Sequence, residues 1–219
     1  MERKSIRVLF LGDSITAGRR NMQDATYLGD AYPKYVADNL CSRFPQMQFS
    51  FFNCGVWGNE TKDLILRMQT DAVDINPDIT VLFIGVNDTL RHAFTNDLSM
   101  EQFCLQYGQV LDVLKQKTHT KLLVVEPYLL FKDQHERYKK RFDLVARIDG
   151  IRKACKDKVD GYLPLDGLFA SLYICGDAES YTEDGLHPNA LGAKFIGENV
   201  FSALIPIVSL FENGENDER

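Results

Sequence analysis

"FLGDSITAG", residues 10–18, is the stretch whose reading decides the fold. An apolar run of strand length, "IRVLFL" (6–11), reaches Gly12, and then come an acid, a serine and the start of a helical pattern. Such a run turning at a glycine into a helix reads as the first strand of an α/β sheet, with Asp13 and Ser14 just beyond its carboxyl end. Ligands of open α/β sheets bind at that end. Ser14 therefore has three readings: a helix cap, a phosphate ligand or a nucleophile. A cap needs only a side-chain oxygen that accepts a backbone N–H, which Asp13 or Ser14 can supply. A phosphate loop fits poorly, because "GDSITAG" lacks both the GxxxxGK[ST] spacing and its lysine. Neither GxGxxG nor the GxSxG elbow occurs in the chain.

Outward from this stretch, short apolar runs alternate with longer helical patterns. The strands expected are "IRVLFL", "QFSFFN" (48–53), "ITVLFIG" (79–85), "KLLVVEP" (121–127) and "GYLPL" (161–165). Helices are expected over about 30–44, 60–75, 99–117 and 133–157, with a last one from Pro188 at a first-turn position. Alternation of this kind predicts a parallel sheet covered on both faces. No repeat or low-complexity linker interrupts it, so one domain is expected over residues 1–212, followed by an acidic tail, 213–219, that frays.

The 219 residues, 45% hydrophobic and 26% charged, suffice for a core without disulfide or metal staples. A net charge of −6 excludes a protein built to hold a polyanion, since no cationic surplus exists to displace counterions from phosphates. No nucleic-acid partner is expected. The apolar run before Gly12 is shorter than the ~7–15 residues of a signal-peptide core, and no apolar stretch is expected to reach the ~20 residues of a membrane span. Five cysteines with no CxxC spacing fit buried thiols in a reducing compartment, so a cytoplasmic location is the expectation.

A serine hydroxyl attacks only if a base takes its proton. His92, His119 and His135 lie among polar neighbours and read as surface histidines. His187 differs: in "EDGLHPNA", Asp184 precedes it by three residues and can fold back onto Nδ1–H, leaving Nε2 to accept a proton. The alternative is a tight turn with Asp184 capping backbone N–H groups. Acyl transfer also needs donors for the oxyanion. Gly58 in "NCGVWGNET" can bring its N–H close to a ligand, and Gly85 in "IGVNDTL" permits a turn that presents the Asn87 amide. Each also has a bland reading as a turn or a cap.

Taken together, "GDSIT", "WGNET", "GVND" and "DGLHP" resemble, in order and interval, the four blocks of the GDSL/SGNH hydrolase superfamily. The resemblance covers nearly the whole chain. It implies a flavodoxin-like three-layer α/β/α sandwich with a five-stranded parallel sheet, and hydrolysis of esters through an acyl-enzyme without metal or cofactor. It implies a triad of Ser14, His187 and Asp184, with the N–H groups of Ser14 and Gly58 and the Asn87 side chain holding the oxyanion. Isoleucine replaces the leucine of the family's name, and Trp57 stands where a small residue is common; it is expected to narrow the acyl side of the pocket and favour short acyl groups. The segment 58–92 is similar to the bacterial branch that includes acetylxylan esterases and other carbohydrate deacetylases, in which Arg91 would contact substrate hydroxyls. The implied partner is a small-molecule ester, such as an acetylated oligosaccharide, and a homo-oligomer stays open. Alternatives are a lysophospholipase or thioesterase, with "PYLLF" (127–131) lining a longer channel, and a flavodoxin-like binding module.

Overall fold

The structure, a computed structural model, describes residues 5–95, 97–130, 139–176 and 178–212. Five strands, β1 (Ser5–Gly12), β2 (Gln48–Gly55), β3 (Ile79–Phe83), β4 (Lys121–Val125) and β5 (Gly161–Leu163), form one sheet in the order β2-β1-β3-β4-β5. Every pairing is parallel. Helices α1 (Ser14–Ala17), α2 (Tyr32–Arg43), α3 (Thr61–Met68), α4 (Val86–His92), α5 (Met100–Lys117), α6 (Arg141–Cys155), α7 (Leu165–Cys175) and α8 (Ala190–Glu212) connect and cover it.

Side chains alternate across a strand, so one run of apolar residues serves two cores. Ile6, Val8 and Phe10 of β1, Ile79, Val81 and Phe83 of β3, and Leu123 and Val125 of β4 enter the core shared with α2 and α8. Leu9, Leu11, Leu82, Leu122 and Val124 enter the opposite one, against α3 and α5. These strands read as continuous hydrophobic runs because both faces are buried. The result is the three-layer α/β/α arrangement with five parallel strands.

Several boundaries differ from those expected. Residues 84–85 leave β3, because Gly85 at φ 122° starts α4, a seven-residue helix absent from the sequence reading. Likewise α7, also unanticipated, begins at Leu165, two residues beyond β5. The pattern over 60–75 divides into α3 and a π-helical turn, Gln69–Val73. Residues 133–138 of the expected fourth helix lie outside the described residues. Pro188 is not in the first turn of α8; it pairs with Thr182 in an isolated bridge, and Asn189 Oδ1 caps the helix by accepting from the N–H groups of Leu191 (3.0 Å) and Gly192 (3.1 Å). By length and composition α8 could cross a membrane, contrary to the expectation, yet Ile196, Val200, Leu204 and Ile207 are buried in the core. Cys41 and Cys175 are exposed rather than buried.

The first crossover is unusually tight. A Cβ on Gly12 would lie 2.3 Å from the Phe83 carbonyl oxygen and 2.4 Å from Thr16 Oγ1, and one on Gly55 would lie 2.3 Å from the Ala17 nitrogen. Only glycine lets β1, β2, β3 and α1 approach this closely. Gly12→Ala is therefore expected to destabilise the fold by roughly 1–3 kcal/mol or more. Gly108→Ala, in α5 with open space around its Cβ, should instead stabilise it by about 0.5–1 kcal/mol. Urea unfolding of the two variants checks the opposite signs.

Candidate active site

Parallel pairing sets Gly12 opposite Gly55 on one side and Phe83 on the other, so β1, β2 and β3 end level. The loops carrying Ser14, Gly58 and Asn87 leave from that common edge, at the place where the sheet order reverses. Ser14 opens the one-turn α1 and is 6% exposed; Asp13 caps that turn, accepting the Ile15 N–H at 2.9 Å. Asn53, fully buried, donates to the carbonyls of Thr16 and Leu28, both at 2.9 Å, and accepts the Gly55 N–H at 2.9 Å. One amide thus ties α1 and the segment after it to the end of β2.

Ser14 and His187, 173 positions apart, meet with Ser14 Oγ 3.1 Å from His187 Nε2. His187 Nδ1 lies 2.7 Å from Asp184 Oδ2, while Asp184 Oδ1 accepts the backbone N–H of Leu186 (2.9 Å) and of His187 (2.7 Å). The capping turn and the carboxylate–imidazole contact, alternatives in the sequence, coexist because the carboxylate has two oxygens. Burial works against the charge on Asp184, but the three donors outweigh it and hold its carboxyl below the usual range. The loop is itself fixed: Gly185 at φ 77° donates to Thr182 Oγ1, Tyr128 Oη donates to the Leu186 carbonyl at 2.8 Å, and Leu130 N–H to the Gly185 carbonyl at 2.8 Å. With Nδ1–H on the carboxylate, Nε2 presents a lone pair to the serine hydroxyl.

Gly58 has φ 72°, a left-handed conformation open to glycine. Asn87, at the start of α4, is 8% exposed, and its Nδ2 donates one hydrogen to the Asn59 carbonyl at 3.0 Å. This contact fixes which end of the amide is NH₂ and leaves the second hydrogen to be directed elsewhere. Asn59 and Glu60 were not anticipated from sequence. Glu60, 2% exposed, receives Arg91, His92 Nε2 at 2.7 Å and Lys62 at 3.1 Å. Burial opposes its charge, yet these partners keep its carboxyl below the ordinary range. His92 is thus not a surface histidine, unlike the exposed His119; its side chain is 14% exposed against a buried acid. His135 lies outside the described residues. Arg91 Nη2 lies 3.0 Å from where a Gly58 Cβ would stand, so the arginine flanks the glycine while Glu60 anchors it.

Trp57 lies flat against the His187 ring, with centroids 5.6 Å apart and 27° between planes, and its Nε1–H donates to the Gly18 carbonyl at 3.0 Å. Trp57 is 58% exposed and lines a cavity of about 310 Å³ with Ser14, His187, Arg19, Asp30 and Asn189. Arg19 and Asp30 pair across the rim at 2.8 Å. Gly58 and Asn87 are outside this lining, and so are Tyr128 and Leu129, which are fully buried in the core instead of lining a channel. Phe131 is outside the described residues. Among the described residues no cluster of three metal-ligating side chains occurs. Burial pushes the thiols of Cys54 and Cys155 up to about 12, which removes them as nucleophiles.

A serine hydroxyl in hydrogen-bonding reach of a histidine–carboxylate pair, at the carboxyl edge of a parallel sheet, is an arrangement suited to hydrolysis by acyl transfer. Residues 10–195 match the model of the GDSL-like lipase/acylhydrolase family, and the chain belongs to that family. An acetylxylan esterase of Geobacillus stearothermophilus is 24% identical over 194 residues, covering 85% of this chain and 88% of its own. A solved structure of an acetylxylan esterase from the same organism superposes with a TM-score of 0.82 at 19% identity, covering 94% of this chain and 97% of that one. An alpha/beta hydrolase enzyme from the metagenome of Lake Arreo gives 0.80 at 21% identity, covering 92% and 95%. The protein is a carboxylic ester hydrolase.

Below Ser14 the acids are buried. Asp13 is 1% exposed, and burial together with the nearby Asp88 pushes its carboxyl up to about 7. Because this value lies above that of the unfolded chain, Asp13 favours the folded state fully at low pH, and that contribution is lost as pH rises through about 7. Asp13→Asn retains an oxygen for the Ile15 N–H and removes the titration. Compared with the variant, the native protein should lose unfolding free energy between pH 4 and 7; parallel curves from denaturant titrations at each pH would contradict this.

Proposed function

We propose that the protein is a serine esterase for short acyl groups, with acetyl esters of carbohydrates as its substrate class. The observation that carries this reading is the continuous contact from Asp184 through His187 to Ser14 Oγ. In the reaction, Ser14 Oγ forms a bond to the ester carbonyl carbon as its proton passes to His187 Nε2. The C=O electron pair moves to oxygen, where the N–H groups of Ser14 and Gly58 and the free Asn87 amide hydrogen hold the charge. Collapse breaks the bond to the alcohol, which leaves with the proton from His187. Water then repeats the sequence on the acyl-enzyme, with His187 as base, and releases the acid and free Ser14. Asp184 orients the imidazole and stabilises its charged form throughout.

The carbohydrate assignment is supported by the acetylxylan esterase relative and by the cavity. An exposed indole face beside a rim of Arg19, Asp30 and Asn189 offers an apolar plate and hydrogen-bonding groups of both kinds, as a sugar alcohol requires. Arg91, anchored on Glu60, is a further group for substrate hydroxyls. The burial of Tyr128 and Leu129 favours short acyl groups over the long chain of a lysophospholipid.

Ser14→Ala should lower kcat by roughly 10⁴-fold or more while the protein still unfolds cooperatively. Asn87→Ala should lower kcat by about 10²–10³-fold with little change in KM, since its contact is made mainly in the transition state. A rise in KM alone would assign the amide to ground-state binding. Assay of p-nitrophenyl esters from acetate to palmitate, beside acetylated xylo-oligosaccharides, should give the highest kcat/KM on acetyl esters; preference for palmitate would overturn the substrate assignment.

A further inference from the structure

Arg67, on α3, belongs to none of the groups described above. Its side chain is 17% exposed, and its guanidinium faces the backbone at the carboxyl edge of the sheet. Nη2–H donates to the Gly12 carbonyl at 2.9 Å, Nη1–H to the Cys54 carbonyl at 2.7 Å, and Nε–H to Asn59 Oδ1 at 2.8 Å. Asp71, in the π-helical turn, pairs with Nη1. These acceptors lie on three separate segments: the carbonyl of the residue before Asp13–Ser14, a carbonyl at the end of β2, and the side-chain amide of the residue after Gly58. Asn59 in turn accepts the Asn87 amide on its carbonyl at 3.0 Å. A planar fork with fixed donor directions can bridge three such acceptors, whereas the single ammonium of a lysine cannot match that geometry.

We propose that Arg67 is a positioning residue for acyl transfer: it fixes Asn59 relative to the strand end that carries Ser14, and the Asn59 carbonyl then aims the Asn87 amide at the oxyanion. This rests on the roles given to Ser14 and Asn87 under the proposed function. The chemistry explains why Asn59 is held at both ends, its side chain by Arg67 and its carbonyl by Asn87. A displacement of ~1 Å at a group that positions a reacting centre can cost on the order of 10²-fold in rate.

The test is a cycle of four proteins, native, Arg67→Met, Asn87→Ala and the double variant, assayed for kcat and KM on p-nitrophenyl acetate and for labelling by a fluorophosphonate. Arg67→Met should lower kcat by roughly 10- to 10²-fold with KM within about twofold. In the Asn87→Ala background the same substitution should lower kcat by less than about threefold, because the amide it acts through is gone. An unchanged kcat, a change confined to KM, or an equal loss in both backgrounds overturns the proposal. Should Arg67→Met not fold, Asn59→Ala, which removes only the loop end of the contact, goes through the same cycle with the same two outcomes. A native protein that takes no label overturns the esterase reading and this one with it; a labelled native protein with additive variants overturns only the role of Arg67.

Discussion

Three parallel strands that end level are the constraint on which the rest of this molecule depends. Gly12 sits opposite Gly55 and Phe83 in the ladder, so the chain leaves β1, β2 and β3 at one height. A slip of one residue would move a loop by about 3.3 Å and turn every side chain of that strand to the other face. The first consequence would exceed the tolerance of any hydrogen bond between loops; the second would empty both cores. The register that packs Leu9 against one layer and Phe10 against the other is therefore also the register that brings Ser14, Gly58 and Asn87 to one rim.

Charge is distributed so that the buried acids build the site and an accessible acid faces the histidine. Asp88 accepts the Thr61 N–H and hydroxyl, Glu60 holds Arg91 and His92, and Asp13 caps α1. Asp88 and Glu60 each join two segments of the rim from a buried carboxylate, while Asp13 holds its own turn, and the loss of a buried acceptor of this kind is costly. Asp184, by contrast, is about half exposed and bound by three donors. It keeps its charge, as the proposed role of orienting His187 and stabilising its protonated form requires.

Much of this was legible along the chain, because the signals were local. Strand runs bounded by glycine, and the four blocks "GDSIT", "WGNET", "GVND" and "DGLHP", carry their information within a few residues. What escaped was helical or relational. The α7 segment "LDGLFASLYIC" is apolar at most positions and contains Gly167, so it shows no amphipathic period. The α4 segment is seven residues long and begins directly at a glycine, leaving no room for a pattern. His92 looked solvated because its neighbours are polar, but its partner Glu60 is 32 positions away. Arg67 did leave a trace: with Leu64 and Met68 buried on either side, it is a cation on the apolar stripe of α3.

The sequence alone determined the class of the sheet, the strand that begins it and the residue types needed for acyl transfer, since strand periodicity and the chemistry of serine, histidine and carboxylate are properties of short segments. Tertiary structure decided how near His187 comes to the serine, 3.1 Å, where Trp57 lies, and which cation gathers the rim. Those are distances between loops, and a loop's place is set by the strand register and by glycines that admit close backbone contact, neither of which is written at the loop itself.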